Sequence, residues 1–342
     1  MPDLIKQALN LSIEILLSDF RMVFFDEIDD PYKVTLLFQL SLPWPAMPRL
    51  LQELRSNDDR YTREFGIFAV TKEGTVASGL MLMRISTQTT KGRLEVGGIS
   101  AVSTRPDFVR SGLMTSVTNK AHEYFRELGL EYSVLTTSGR LGAMTLYQQL
   151  DYREISHSMV TVKYPNQPRT PPPEDVMVRA FSETDVADID GVYKQVVEGS
   201  TGFIYRPRNF LKARNYTKGL QIKPRENMRL VERGDSVTGY AYWESRPTTS
   251  DALEIIALDE ISFHGLLADA ERRNPDAAVT VWCDGLIDPE IKWLKRAGYE
   301  GPLETYGSFL AKSLKQETNS HSIKEMYGVE LDKFRIGLWD GT

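Results

Sequence analysis

Residues 94–115 read LEVGGISAVSTRPDFVRSGLMT, a strand that ends in a polar loop and then opens a helix. Residues 94–103 are rich in strand formers, Pro106 breaks any regular continuation, and Arg110-Ser111-Gly112 leads into an amphipathic run. Over residues 112–128 that run places Leu113, Val117, Ala121, Phe125 and Leu128 on one face, with Gly129 as the stop. A helix N-terminus presents unpaired N–H groups and a partial positive charge, which suits a phosphate or pyrophosphate. Gly112 allows close backbone approach, Ser111 brings a hydroxyl, and Arg110 adds a full charge. A plain strand–loop–helix connection with a surface arginine fits the same residues.

Outward from this stretch the first half reads as mixed α/β. Helices are expected over 30–42 and 48–54, a hairpin over 65–71 and 76–85 around Lys72-Glu73-Gly74, then the 94–103 strand. A strand over 132–137, a helix over 141–150 and a closing strand over 153–162 follow. The short first turn makes the meander antiparallel, and the strand–helix–strand step makes a right-handed parallel pair. Residues 166–175, NQPRTPPPED, hold three successive prolines and read as a semi-rigid linker. After it the same order returns: strand at 178, helix 184–197, hairpin 228–233 and 238–244, strand 253–258, helix 260–272, strand 278–283, helix 289–297, strand 306–312. Two copies of one topology imply a duplication. The expected division is 1–165, a linker at 166–175, 176–312, and a tail at 313–342.

Composition bounds the function. The chain has 342 residues, 41% hydrophobic and 26% charged, which suits about two globular domains. Net charge is 41 − 47 = −6, the wrong sign for a dedicated nucleic-acid binder. A single cysteine, Cys283, excludes intrachain disulfides and Cys-rich metal sites, and the four histidines lack ligand spacing, so no metal is expected. The apolar run over 36–47 is too short to span a bilayer, and no leader pattern precedes it, so a cytoplasmic protein with no membrane partner is expected.

Val102, Thr104, Pro106, Phe108 and Gly112, followed by Ala143, Leu146, Tyr147 and Tyr152, resemble two motifs of the GNAT superfamily of N-acetyltransferases. Those motifs are the acetyl-CoA loop, roughly V-x-T-x-P-x-[YF]-R-x-x-G-x-[GA], and the later helix, N-x-x-A-x-x-L-Y-x-x-x-G-[FY]. Val109 and Met114 depart from the first; Arg140 and Asp151 depart from the second. A tandem arrangement with the active domain first, and Met114 at its position, is similar to the Eis-type (enhanced intracellular survival) branch, without that branch's sterol-carrier-like third domain. The resemblance implies two tandem GNAT-like domains, each a mixed, mostly antiparallel sheet with a central parallel pair and helices on both faces. It also implies acetyl-CoA as co-substrate. Ala101, Val102 and Ser103 would pair with the pantetheine arm, and Arg110, Ser111, Gly112, Leu113, Met114 and Thr115 would hold the pyrophosphate. Tyr147 would protonate the departing thiolate; as a residue in its own right it also fits a core aromatic on an amphipathic helix. Glu95, water or the C-terminal carboxylate of Thr342 are the candidate bases.

In the second half, Leu294 stands where Tyr147 stands in the first, and Asp259-Glu260 occupy the junction where an anion would sit, so that half is expected to be non-catalytic. Residues 202–208 and Phe210 read as a pocket lining or a core cap. The leading reading is an acetyl-CoA-dependent N-acetyltransferase acting on a primary amine, such as a small cationic amine, a lysine or an aminoglycoside. A non-catalytic acyl-CoA-binding scaffold and an aminoacyl-tRNA-dependent transferase are the alternatives. The acceptor's identity and homo-oligomerisation stay open.

Overall fold

A computed structural model describes residues 19–42, 47–138, 142–207, 210–211, 227–315 and 320–337. The first half runs β1 (Phe20–Phe24), α1 (Tyr32–Ser41), α2 (Pro48–Asn57), β2 (Tyr61–Thr71), β3 (Val76–Thr89), β4 (Gly92–Thr104), α3 (Leu113–Glu127), β5 (Tyr132–Ser138), α4 (Ala143–Gln149) and β6 (Arg153–Lys163). The second runs β7 (Met177–Ala180), α5 (Val186–Val197), β8 (Met228–Arg233), β9 (Ser236–Ser245), β10 (Thr249–Ala257), α6 (Glu260–Arg273), β11 (Ala278–Trp282), α7 (Asp288–Arg296) and β12 (Glu300–Ser313), with α8 (Ser320–Tyr327) behind it. In both halves a run of three strands is followed by helix, strand, helix and strand, with two helices ahead of it in the first half and, among the described residues, one in the second. Strand β1 has no counterpart in the sequence reading, and β12 begins six residues before the expected 306.

The two mixed sheets are fused into one of twelve strands, in the order β1-β2-β3-β4-β5-β12-β6-β11-β10-β9-β8-β7. Pairs β4·β5 and β10·β11 are parallel and the other adjacent pairs antiparallel. The fusion is an exchange. The neighbour of β5 is β12, from the second half, paired from Tyr132↔Ser313 to Ser138↔Gly307. The neighbour of β11 is β6, from the first half, paired from Val279↔Lys163 to Trp282↔Val160. Each closing strand therefore completes the other half's sheet. Alternation of apolar and polar residues fixes which face a strand buries but not which strand lies beside it.

Packing follows the exchange. Helices α3 and α4 cover one face of the first half through Leu113, Val117, Ala121, Phe125, Tyr147 and Leu150, and the exchanged Leu310 lies in that same core. Helices α6 and α7 cover the corresponding face of the second half through Phe263, Leu266 and Leu294. On the opposite face, Ile85 and Val96 meet Tyr240, Leu253 and Ile256 in a core shared by both halves, while α1 and α2 pack a second cluster against Phe68 and Met81. Phe203, Ile204 and Phe210 lie in this shared core. The proline-rich connection is pinned rather than free: Thr170 is buried, and its N–H and hydroxyl both donate to the Glu271 carboxylate.

Candidate functional site

Strands β4 and β5 pair at only two positions, Gly97↔Ser133 and Gly98↔Val134. Beyond them β4 runs on to Thr104 against β3, while β5 runs on to Ser138 against β12. Past this vertex the facing edges of the two strands have parted, and their N–H and C=O groups no longer meet each other. An extended chain can add to such an edge as a further strand would. A bulge marks the wall on the β4 side: Ser100 faces Met81 and Ser103 faces Gly79, so Ala101 and Val102 share one partner residue, and Ala101 takes φ 50°. Of the three residues expected along this edge, Ala101 and Val102 are half-buried. Ser103 is buried, and its hydroxyl has no hydrogen-bond partner among the described residues.

The loop after β4 turns sharply into α3. Arg110 and Gly112 both lie in the left-handed region, at φ 65° and 77°. Gly112 is the N-cap of α3 and brings no capping side chain, so the N–H groups of Leu113, Met114 and Thr115 have no partner within the helix. Arg110 and Thr115 are exposed. Ser111 turns inward, its hydroxyl donating to the Phe108 carbonyl at 2.5 Å. Leu113 is buried in the core, so only its backbone faces the loop. Met114 packs partly against the same core, with its sulfur 3.6 Å from the Thr118 hydroxyl one turn along the helix. Arg105, the first residue after β4, forms a two-point ion pair with Asp107 and lies over the Phe108 ring.

The second half's junction is closed from within. Asp259 is the N-cap of α6, and its carboxylate accepts the Ser262 N–H at 2.8 Å and pairs with Arg233. Desolvation pushes this carboxyl's pKa up, but the Ser262 and Arg233 contacts outweigh it and hold the group below the usual carboxylate range. The Arg296 hydrogen bond likewise lowers the Glu260 pKa. A helix end already occupied by its own carboxylate repels a second anion. The C-terminal segment also docks on the loop that follows β11, with Ile336 donating to the Asp284 carbonyl, and Arg335 donating to the Gly285 carbonyl and pairing with Glu290.

Tyr147 projects from α4 into the core that α3 and α4 share. It is 4% exposed, edge-on to Tyr152 at 5.8 Å, and its hydroxyl has no hydrogen-bond partner among the described residues. Burial raises its pKa well above the ordinary phenol value, so at neutral pH it is a protonated donor. Below it the Tyr152 hydroxyl meets Ser133, the residue at the vertex, at 2.6 Å and His122 at 2.9 Å. Burial, reinforced by Lys312 and Arg126, depresses His122 to about 3, so its imidazole stays neutral. The equivalence of Tyr147 and Leu294 rests on identical helix ends. Tyr152 N–H bonds to Tyr147 O at 3.0 Å, and Tyr299 N–H bonds to Leu294 O at 3.0 Å. The left-handed residue between is Asp151 in one helix end and Gly298 in the other.

Glu95 lies on β4 before the vertex, paired with Arg84 at 3.2 Å and Arg93 at 3.8 Å, whereas the strands part after Gly98. Thr342 and Arg140 lie outside the described residues. The sequence reading passed over two groups. A bulge at Ile155 brings Glu154 and His157 to one face, where His157 Nδ1 lies 3.1 Å from Glu154 and 3.3 Å from Ser308 across β12. Lys312 donates to the Leu150 carbonyl at the end of α4 at 2.6 Å. Both depend on the strand exchange, which no local pattern reports. Among the described residues no group of acidic, histidine and cysteine side chains is arranged to hold a metal, and no helix is long and apolar enough to cross a membrane.

Residues 34–155 match the acetyltransferase (GNAT) domain family. No curated protein matches the sequence. Among solved structures, a GCN5-related N-acetyltransferase from Kribbella flavida superposes with a TM-score of 0.64 at 17% identity, over 86% of this chain and 71% of that one. Eis1 from Mycobacterium abscessus gives 0.58 at 13% identity, over 86% and 74%. Saccharomyces cerevisiae N-myristoyltransferase with bound myristoyl-CoA gives 0.56 at 10% identity, over 86% and 82%. These likenesses are of fold. The chain thus carries a GNAT acetyltransferase domain in its first half, within a fold that those structures share.

Proposed function

We propose that the chain is an acetyl-CoA-dependent N-acetyltransferase whose chemistry belongs to residues 1–165, while residues 176–312 form a degenerate GNAT-like partner. The observation that carries the reading is the contrast between two equivalent helix ends. The α3 end has no capping side chain at Gly112 and sits beside parted strands; the α6 end is filled by Asp259, beside a loop on which Arg335 and Ile336 dock. In this reading the pyrophosphate rests on the N–H groups of residues 113–115, with Arg110 beside it, and the pantetheine arm pairs with the free edge of β4 at residues 101–103. The acceptor amine attacks the thioester carbonyl carbon, the C–S bond breaks, and the thiolate takes the Tyr147 hydroxyl proton. The proton lost by the amine passes to solvent or a base, and the Tyr147 phenolate takes one back from solvent before the next turnover. The acceptor class is a primary amine, and the chain's negative charge suits a cationic one.

Tyr147→Phe tests the assignment. It keeps the ring and its packing against Tyr152 and deletes only the transferable proton. Acetyl-CoA affinity should hardly change, while turnover, read as free thiol with an amine panel, should fall by about 10²–10⁴. Turnover within about threefold of wild type would reject Tyr147 as the acid.

A further inference from the structure

The helix that carries Tyr147 has seven residues, too few to persist on its own hydrogen bonds. Its C-terminal end is held from the other half. Lys312, on the exchanged strand β12, donates to the carbonyl of Leu150, the C-cap residue, at 2.6 Å, with the Asp151 carboxylate 4.0 Å away. Two residues earlier, Leu310 is 1% exposed in the core that holds Tyr147. A cation at a helix C-terminus satisfies a free carbonyl and opposes the helix dipole. Burial lowers the Lys312 pKa from the usual lysine value, and Asp151 opposes that shift.

The arrangement recurs by pseudo-symmetry. Lys163, at the end of β6, donates to the carbonyl of Ala297, the C-cap of α7, at 2.7 Å. There the lysine is also bound by Glu271 and Thr170, and the helix it caps carries Leu294 in place of a tyrosine. Each half thus caps the other's short helix, but only one of these helices bears a hydroxyl that can give up a proton.

We propose that Lys312 is a positioning residue for Tyr147, and that the second half serves the reaction by holding the proton donor in register through β12. The inference rests on Tyr147 being that donor. Lys163 is the internal control, because it makes the same contact where no chemistry is assigned.

The test uses the full chain with Lys312→Met, Lys312→Arg, Lys163→Met and Tyr147→Phe. Acetyl-CoA affinity is read by calorimetry, turnover by thiol release with spermidine or, where no amine is acetylated, with water as acceptor, and stability by melting. Lys312→Met should lower kcat by about 10- to 100-fold, the usual consequence of displacing a reacting group by an ångström. It should leave acetyl-CoA affinity within about twofold, and Lys312→Arg should recover most of the rate. Lys163→Met should lower the melting temperature without that selective loss of kcat. If Lys312→Met does not fold, Lys312→Gln, which keeps a donor for the carbonyl without the charge, is judged by the same outcome. Unchanged kcat in the Lys312 variant, beside a collapsed kcat in Tyr147→Phe, would overturn this proposal alone, as would an equal loss of kcat in Lys163→Met. Unchanged kcat in Tyr147→Phe would remove the proton-donor reading and this inference with it.

Discussion

Gly97→Ala should destabilise the chain because the vertex of the cleft has no room for a methyl group. Gly97 is one of the two β4 residues that pair with β5, and the ring of Phe125 from α3 lies directly over it. A Cβ built there falls 2.5 Å from the ring's Cγ and 2.6 Å from Cε2, and closer still to Cδ2. Carbon atoms sit comfortably at about 3.5–4.0 Å, so the ring must retreat by about 1 Å. Phe125 is fully buried, so the retreat passes into the packing of α3. Overpacking of this kind costs about 1–3 kcal/mol. At about 2–4 °C per kcal/mol for a large domain, the melting temperature should fall by about 2–12 °C. Calorimetric melting of the single variants and of Gly97→Ala/Phe125→Leu measures the coupling. Phe125→Leu alone leaves a void, but combined with Gly97→Ala the void takes up the methyl, so the double variant should be more stable than the sum of the singles by about 1 kcal/mol or more. A Gly97→Ala protein that melts with wild type, or strict additivity in the double variant, would show that Phe125 does not close the vertex to a methyl group.

Two further outcomes follow from particular contacts. Asp185 accepts two bonds from Arg179, at 2.7 and 2.8 Å, and the Ser182 N–H at 2.6 Å; the Arg179 bond is the largest cause holding its carboxyl below the usual value. A carboxyl depressed on folding adds stability above its unfolded pKa and loses it as pH falls. Asp185→Asn should therefore cost about 1.5–3 kcal/mol at pH 7, and melting curves against pH should converge with wild type below about pH 4; a gap independent of pH would contradict this. Residues 1–165 produced alone lack β12, the neighbour of β5 along its whole length, and should give no cooperative melt; a sharp transition with acetyl-CoA binding would contradict the exchange.

The local elements were legible because each rests on short-range chemistry. The 3.6 spacing of Leu113, Val117, Ala121 and Phe125 put them on one buried face, and Gly129, at φ 75°, ends α3 where a helix stop was expected. The Gly112 helix start and the acidic character of the Asp259-Glu260 junction were legible for the same reason, but not the cap that Asp259 makes on the Ser262 N–H. The strand exchange was not. Tyr132–Ser138 has the same alternation whether its neighbour is β6 or β12, so the pairing is set by long-range packing of residues such as Leu310. Everything that depends on the exchange was hidden with it: the cap by Lys312, the meeting of Glu154, His157 and Ser308, and the pinning of Thr170 by Glu271. Glu95 shows the converse: it sits on the expected strand, but its position relative to the vertex and its pairing with Arg84 depend on register.

If the first half is the catalytic one, a single acetyl-CoA binds per chain, on the N-terminal end of α3. Calorimetric titration of the full chain with acetyl-CoA, beside Gly112→Asp, tests it most directly. That substitution puts a side chain and a negative charge on a left-handed residue that brings no cap to the N–H groups following it. Wild type should bind one equivalent per chain, and a folded Gly112→Asp protein should show no measurable binding. Two equivalents per chain, or unchanged affinity in the folded variant, would contradict it.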